Sequence, residues 1–155
     1  MLTPGIGPWQ LLGTIYVEIN FQPTNKRNFS CGDCNLCQIS CPTGALDKEY
    51  KLDSNKCISY LTIELKDSIP KQYENKMEDW IFGCDICQDV CPWNKFSEEN
   101  NHTLLQPSDK FLNMKKKDWI ELTEETFKKV FKKSPIKRAN FKGLKKNISF
   151  IKNSN

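Results

Sequence analysis

The chain has 155 residues, 38% of them hydrophobic and 27% charged, with eight cysteines and one histidine. Such a length allows one domain, or a small domain with an appendage, and the thin apolar share means that bound metal must supply part of the folding free energy. No stretch approaches the ~18 apolar residues of a membrane span, and the opening Met1-Leu-Thr-Pro-Gly-Ile-Gly-Pro-Trp9 lacks the basic start of a signal peptide. Neither a membrane partner nor export is therefore expected, and free thiols point to the cytoplasm. The formal charge of +4 conceals a division: residues 1–109 hold nine Lys/Arg against fifteen Asp/Glu, and residues 110–155 fourteen against four. A basic half of this kind suggests an anionic partner, nucleic acid before membrane.

In chain order, Leu11-Leu-Gly-Thr-Ile-Tyr-Val-Glu-Ile19 is apolar and β-branched, which predicts a buried strand or a strand leaving a sheet. Nothing after it could build that sheet, and a lone strand is unstable. Residues 1–29 are accordingly expected to be the remnant of a larger domain.

Next comes Cys31-Gly-Asp-Cys34-Asn-Leu-Cys37-Gln-Ile-Ser-Cys41-Pro42, the complete C-x2-C-x2-C-x3-C-P spacing of bacterial ferredoxins. In that pattern three thiolates grip one [4Fe-4S] cube and the fourth reaches the other cube. Cys84-Asp-Ile-Cys87-Gln-Asp-Val-Cys91-Pro92 repeats only the last three members, and Cys57 is the remaining cysteine. Crossed ferredoxin logic assigns Cys31, Cys34, Cys37 and Cys91 to cluster one, and Cys57, Cys84, Cys87 and Cys41 to cluster two. Pro42 and Pro92, with fixed φ and no N-H, turn the chain away after each crossing cysteine. Two alternatives compete: a disulfide framework, which wants a secretory context, and two four-thiolate zinc sites, which usually pair well-separated knuckles.

Between the cysteine runs, Asp53-Ser54 is placed to cap a helix bearing Cys57, Ile58, Leu61 and Leu65. Pro70 is placed to open a second helix with Tyr73, Met77, Trp80 and Ile81 at i, i+4, i+7 and i+8. Further on, Leu122 and Phe127 fit a hydrophobic staple around a Thr123 cap. Phe127, Val130 and Phe131 form a stripe opposite Lys128, Lys129, Lys132 and Lys133. Ser134-Pro135 stops that helix and starts another over residues 136–151, bearing Lys137, Arg138, Lys142, Lys145 and Lys146. His102 lies in a polar linker and reads as solvated. Tyr60 and Trp93 are aromatic residues that lie close in sequence to cysteine ligands, and there is no Ser-His-Asp set, phosphate loop or histidine metal cluster.

The runs Cys41-Pro-Thr-Gly-Ala-Leu46, Cys57-Ile-Ser-Tyr-Leu-Thr-Ile-Glu64 and Trp80-Ile-Phe-Gly-Cys-Asp-Ile-Cys-Gln-Asp-Val-Cys-Pro-Trp-Asn94 closely resemble the iron-sulfur half of epoxyqueuosine reductase. The tail Ser134-Pro-Ile-Lys-Arg-Ala139 with Leu144-Lys-Lys-Asn147 is similar to that family's C-terminal segment. What the resemblance implies is an α+β, ferredoxin-like two-[4Fe-4S] domain over residues 30–97 with a helical insertion. A basic α-helical segment over 98–155 follows it.

The resemblance also implies an oxidoreductase that relays electrons from a donor protein or reductant to cobalamin, reducing epoxyqueuosine to queuosine in tRNA. Carried over to this sequence, it places Ser59, Cys84 and Asp85 at the cobalamin face, with Leu12 and Ile15 as further contacts. The family's N-terminal half, which supplies most of the cobalamin pocket and an acidic proton donor, has no counterpart before Met1. The expectation is therefore a truncated chain, or a separate polypeptide bringing that half, and no catalytic residue is assigned. Three other functions fit parts of the pattern: a stand-alone two-cluster electron carrier, a corrinoid reductive dehalogenase, and a nucleic-acid-binding module with structural clusters.

Overall fold

The computed structural model describes residues 3, 6–25 and 30–154 of the chain. The expected remnant over 1–29 is therefore described in part, with residues 1–2, 4–5 and 26–29 outside the described residues.

The two cysteine runs become a structural repeat. Helix α1 (Leu36–Ile39) starts after Asn35 at φ −124°, ψ 15°, and a second four-residue helix (Ile86–Asp89) starts after Asp85 at φ −114°, ψ 9°. The amides of Gln38 and Ile39 donate to the Asn35 carbonyl at 3.0 and 3.1 Å, and those of Gln88 and Asp89 to the Asp85 carbonyl at 2.8 Å. Each arm then closes in a turn, Gly44 N-H on the Cys41 carbonyl at 3.1 Å and Asn94 N-H on the Cys91 carbonyl at 3.0 Å. One isolated helical turn does not hold itself in water. The two arms pack against each other instead.

Between the arms, Asp53 accepts the Asn55 N-H at 3.1 Å and sets up a 3-10 turn, Ser54–Lys56. Cys57 is extended, at φ −69° and ψ 127°, and caps helix α2 (Ile58–Ile63). The single helix expected from residue 53 is thus split, and Cys57 stands outside it. The helix expected after Pro70 shrinks to a 3-10 turn, Lys71–Tyr73, because Asn75 (φ 61°) and Glu78 (φ 48°) are left-handed and cannot continue a right-handed helix. Its apolar residues still go inside: Tyr73 and Met77 are buried, and Trp80 and Ile81 pack against them.

With the second arm's helix as α3, four helices follow: α4 (Asp109–Leu112), α5 (Lys116–Ile120), α6 (Glu124–Val130) and α7 (Asn140–Ser154). The expected cap of α6 forms, Thr123 Oγ1 accepting the Thr126 N-H at 3.2 Å with Leu122 and Phe127 both buried beside it. Ser134 caps a 3-10 turn, Pro135–Ala139, through the Ile136 N-H at 3.3 Å. Asn140, at φ 55°, ends that turn and begins α7 with a left-handed break, so the helix expected over 136–151 is two pieces.

Two apolar clusters hold these parts together. Ile58, Leu61, Ile69, Tyr73, Met77 and Ile151 form one; Leu122, Phe127, Phe131, Ile136, Leu144 and Ile148 form the other. Ile81 touches both. Because α7 supplies residues to each, the basic segment is folded onto the insertion between the arms.

The described residues are rich in helix, and among them β-structure is confined to two isolated bridges, Thr3 with Gly7 and Lys48 with Lys51. Residues 11–19 form no strand; Leu11 is 91% and Tyr16 93% exposed, since no neighbouring strand accepts their backbone groups. No helix among the described residues is long and apolar enough to cross a membrane.

Candidate metal centre

Short-range geometry places the cysteines. Gly83, at φ +74°, supplies a backbone conformation that side chains disfavour and delivers Cys84 to the second arm. All eight thiols are free; Cys34 is exposed and the other seven are half-buried.

Their electrostatic neighbours divide them. Burial, then the nearby thiols of Cys37, Cys91 and Cys34, push the Cys31 thiol up. Cys84 is pushed up to about 11 by burial and by Cys87, Cys57 and Cys41. Cys87 is raised by burial and by Cys57, Cys37 and Cys41. Cys31 thus has Cys34, Cys37 and Cys91 beside it and Cys84 has Cys41, Cys57 and Cys87, while Cys37 also lies close enough to Cys87 to link the two groups. Among the described residues no three His, Cys, Asp or Glu side chains converge on one ion. A cube takes one thiolate at each of its four iron corners, and eight free thiols are the number that two such cubes require.

Cys41 differs from its neighbours. Burial pushes its thiol up, but the Thr43 hydroxyl and the amides of Ala45, Thr43 and Leu46 outweigh burial and bring it below the ordinary thiol value. The Ala45 N-H donates to Cys41 Sγ at 3.3 Å, and Thr43 Oγ1 lies 3.6 Å from the same sulfur. Gly44, at φ +63°, swings the Ala45 amide back toward the thiol. The Ala45 carbonyl in turn accepts the Asp53 N-H at 2.8 Å, which locks the loop.

Ser59 Oγ donates to the Cys84 carbonyl at 3.5 Å, so α2 touches the second arm just ahead of Asp85. The Asp85 carboxyl is held above its usual range by burial first and by Asp89 second. Leu12 and Ile15 are 77% and 86% exposed and lie outside both apolar clusters. Tyr60 packs against the first apolar cluster, and Trp93 lies 6.3 Å from the Phe96 ring. His102 is exposed, and its Nδ1 accepts the Leu104 N-H at 3.3 Å.

A buried polar clamp, not read from sequence, fixes Cys57 relative to Cys84. Thr62 Oγ1 donates to the Ile58 carbonyl at 2.7 Å and accepts the Gly83 N-H at 3.0 Å. Asn147, fully buried, donates from Nδ2 to the Thr62 carbonyl at 2.7 Å and the Ile81 carbonyl at 2.9 Å. One side chain of α7 therefore ties α2, which Cys57 precedes, to the strap leading into Cys84. The signal available in sequence was the terminal residue of Leu144-Lys-Lys-Asn147.

Part of the basic face is also used internally. Lys145 Nζ donates to the Ile120 carbonyl at 2.8 Å, and Lys146 Nζ to the carbonyls of Leu65 and Asp67 at 2.7 and 2.9 Å. Arg138 pairs with Glu64 and holds that carboxyl below the usual range.

Paired cysteine arms, eight free thiols and a third element bringing Cys57 define a double-cluster iron-sulfur domain, and the 4Fe-4S double cluster binding domain family matches residues 30–94. Epoxyqueuosine reductase of Cellulophaga algicola is 45% identical over 98% of this chain and 50% of its own length. That of Cyclobacterium marinum is 50% identical over 79% of this chain and 39% of its own. Among solved structures, epoxyqueuosine reductase with an epoxyqueuosine-modified tRNA-Tyr stem loop superposes with a TM-score of 0.74 at 31% identity, covering 84% of this chain and 35% of that one. Over nearly its whole length the chain is similar to part of epoxyqueuosine reductases, and it carries a 4Fe-4S double cluster binding domain. It spans about half or less of the length of the curated relatives it matches.

Proposed function

We propose that this chain serves epoxyqueuosine reduction by holding two [4Fe-4S] clusters on a ferredoxin-like frame and passing electrons to cobalamin beside Ser59, Cys84 and Asp85. Cys31, Cys34, Cys37 and Cys91 ligate cluster one; Cys57, Cys84, Cys87 and Cys41 ligate cluster two. The two sets of neighbouring thiols support this crossed assignment. Residues 30–97 make the cluster domain, residues 98–155 the basic segment, and residues 1–29 the connection to a cobalamin-binding half in which Leu12 and Ile15 meet the corrin.

When bound, the clusters carry single electrons, and cobalamin supplies the reduced cobalt that, with two electrons and two protons in all, converts an epoxide to an alkene and water. This chain's residues prepare that chemistry. Crossed ligation staples the two arms together, and the Thr62 and Asn147 clamp holds Cys57 near the strap that carries Cys84. The Ser59 hydroxyl is anchored on the Cys84 carbonyl and presents a polar edge next to the cube.

Lys129, Lys132, Lys133, Lys137 and Lys142 are the side chains of the basic segment suited to tRNA phosphates, Lys128 being paired with Glu124 at 2.8 Å. Lys145, Lys146 and Arg138 are removed from that set by their contacts to carbonyls and to Glu64. A tRNA substrate and eight reduced thiols suit a cytoplasmic setting, with electrons arriving from a small reducing protein.

The observation that supports the reading best is the contact of Ser59 with the Cys84 carbonyl, which joins two of the residues expected at the cobalamin face. The test is anaerobic reconstitution with iron and sulfide, followed by cob(II)alamin addition under electron paramagnetic resonance. About eight iron per chain, as two cubes require, with a perturbed cobalt signal is the expected result. The same iron with an unperturbed cobalt signal reduces the chain to a two-cluster electron carrier.

A further inference from the structure

The two arms repeat one backbone but diverge in sequence beyond the last cysteine of each. After Cys41 come Pro42, Thr43, Gly44 and Ala45; after Cys91 come Pro92, Trp93, Asn94 and Lys95. The first sequence builds a cradle of donors round a ligand sulfur, with the Ala45 N-H at 3.3 Å and the Thr43 hydroxyl at 3.6 Å from Cys41 Sγ. An iron-bound thiolate has no proton to give, so in the loaded protein the Thr43 hydroxyl donates and the sulfur accepts. The loop is rigid: Ala45 is 1% exposed and its carbonyl is held by the Asp53 N-H at 2.8 Å. The position equivalent to Thr43 in the second arm is Trp93, which carries no hydroxyl.

Reduction places an additional electron on a cube and increases the negative charge its sulfurs share. A donor aimed at a ligand sulfur stabilises that reduced state and raises the potential. We propose that the Thr43 hydroxyl and Ala45 amide raise the reduction potential of the cube that Cys41 ligates, so that the electron settles on the cluster beside Ser59, Cys84 and Asp85. Thr43 is a tuning residue and touches neither substrate nor cobalamin. The inference rests on the crossed ligand assignment, because Cys41 lies in the first arm but serves cluster two.

Thr43→Val keeps the shape of the side chain and removes the hydroxyl, while Thr43→Ser retains it. Both are made in the whole 155-residue chain, reconstituted anaerobically and poised with dithionite. Each cluster's midpoint is read from its electron paramagnetic resonance signal, and Cys57→Ala identifies the cluster-two signal as the one it abolishes. In Thr43→Val the reduced-to-oxidised ratio of cluster two at fixed potential falls at least ~3-fold, about 28 mV at 59 mV per decade for one electron. Cluster one stays unchanged, and Thr43→Ser restores the original value. An unmoved cluster two, equal shifts in both clusters, or a shift that Thr43→Ser fails to reverse overturns the proposal while leaving the two-cube reading intact. A shift confined to cluster one refutes crossed ligation, and a wild-type chain that binds far fewer than about eight iron refutes the two-cube reading itself.

Discussion

Asn147 is the residue whose removal should expose most about how the cluster domain is held together. In Asn147→Ala the buried Thr62 carbonyl and the partly buried Ile81 carbonyl lose donors at 2.7 and 2.9 Å. Stranding a buried carbonyl costs about 1–3 kcal/mol. The lost Oδ1, which has no hydrogen-bond partner of its own, returns part of that. The net loss is about 2–4 kcal/mol, a large fraction of the ~5–15 kcal/mol that holds a domain folded. With a urea dependence of about 1–3 kcal/mol per molar, the unfolding midpoint of the reconstituted chain, followed anaerobically by far-ultraviolet circular dichroism, should fall by about 1–2 M. Iron release to a chelator should accelerate from cluster two before cluster one, because the freed carbonyls belong to α2 and to the strap before Cys84. A midpoint within ~0.3 M of the parent, or equal acceleration from both clusters, would refute the clamp.

Cys57→Ala should leave about four of eight iron atoms, measured by iron and sulfide analysis, and full retention of both cubes would remove Cys57 from the ligand set. Cluster assembly releases thiol protons, and Cys84 is held up to about 11 by burial. The yield of cluster two should therefore rise between pH 7 and pH 9. The unloaded fold should respond in the opposite sense: a raised thiol stabilises it below the ordinary thiol value, and that contribution drains away as pH climbs from about 9 toward 11, which a pH series of urea midpoints on apoprotein checks. Replacing Lys132 and Lys133 together with Gln should reduce the salt slope of tRNA stem-loop binding by about 0.7 for each phosphate no longer neutralised. Lys146→Met should leave that slope unchanged and instead lower stability by ~1–2 kcal/mol through the carbonyls of Leu65 and Asp67.

Much of this protein was determined locally and could be read along the chain. Cysteine spacing is one such property: Cys34 to Cys37, and Cys84 to Cys87, each run into the first turn of a four-residue helix, so the repeat of the two arms was visible before any fold. Capping is equally short-range, and Thr123 and Ser134 act as their sequences imply. Tertiary structure decided whatever depended on a partner distant in sequence. The 70–81 periodicity is satisfied without a helix, because Tyr73 and Met77 reach the core through a path bent at Asn75 and Glu78. Residues 11–19 have strand-forming side chains, but a strand needs a neighbour and none of the described residues provides it. Lys145, Lys146 and Arg138 look in sequence like the lysines beside them. The fold directs them to Ile120, to Leu65 and Asp67, and to Glu64, contacts spanning up to eighty-one positions that no local pattern encodes. Asn147 belongs to the same class: a polar residue among apolar ones is neutral on paper, and its two acceptors lie 85 and 66 positions away. Backbone geometry and spacing act over a few bonds, whereas the satisfaction of buried polar groups is settled when distant segments meet.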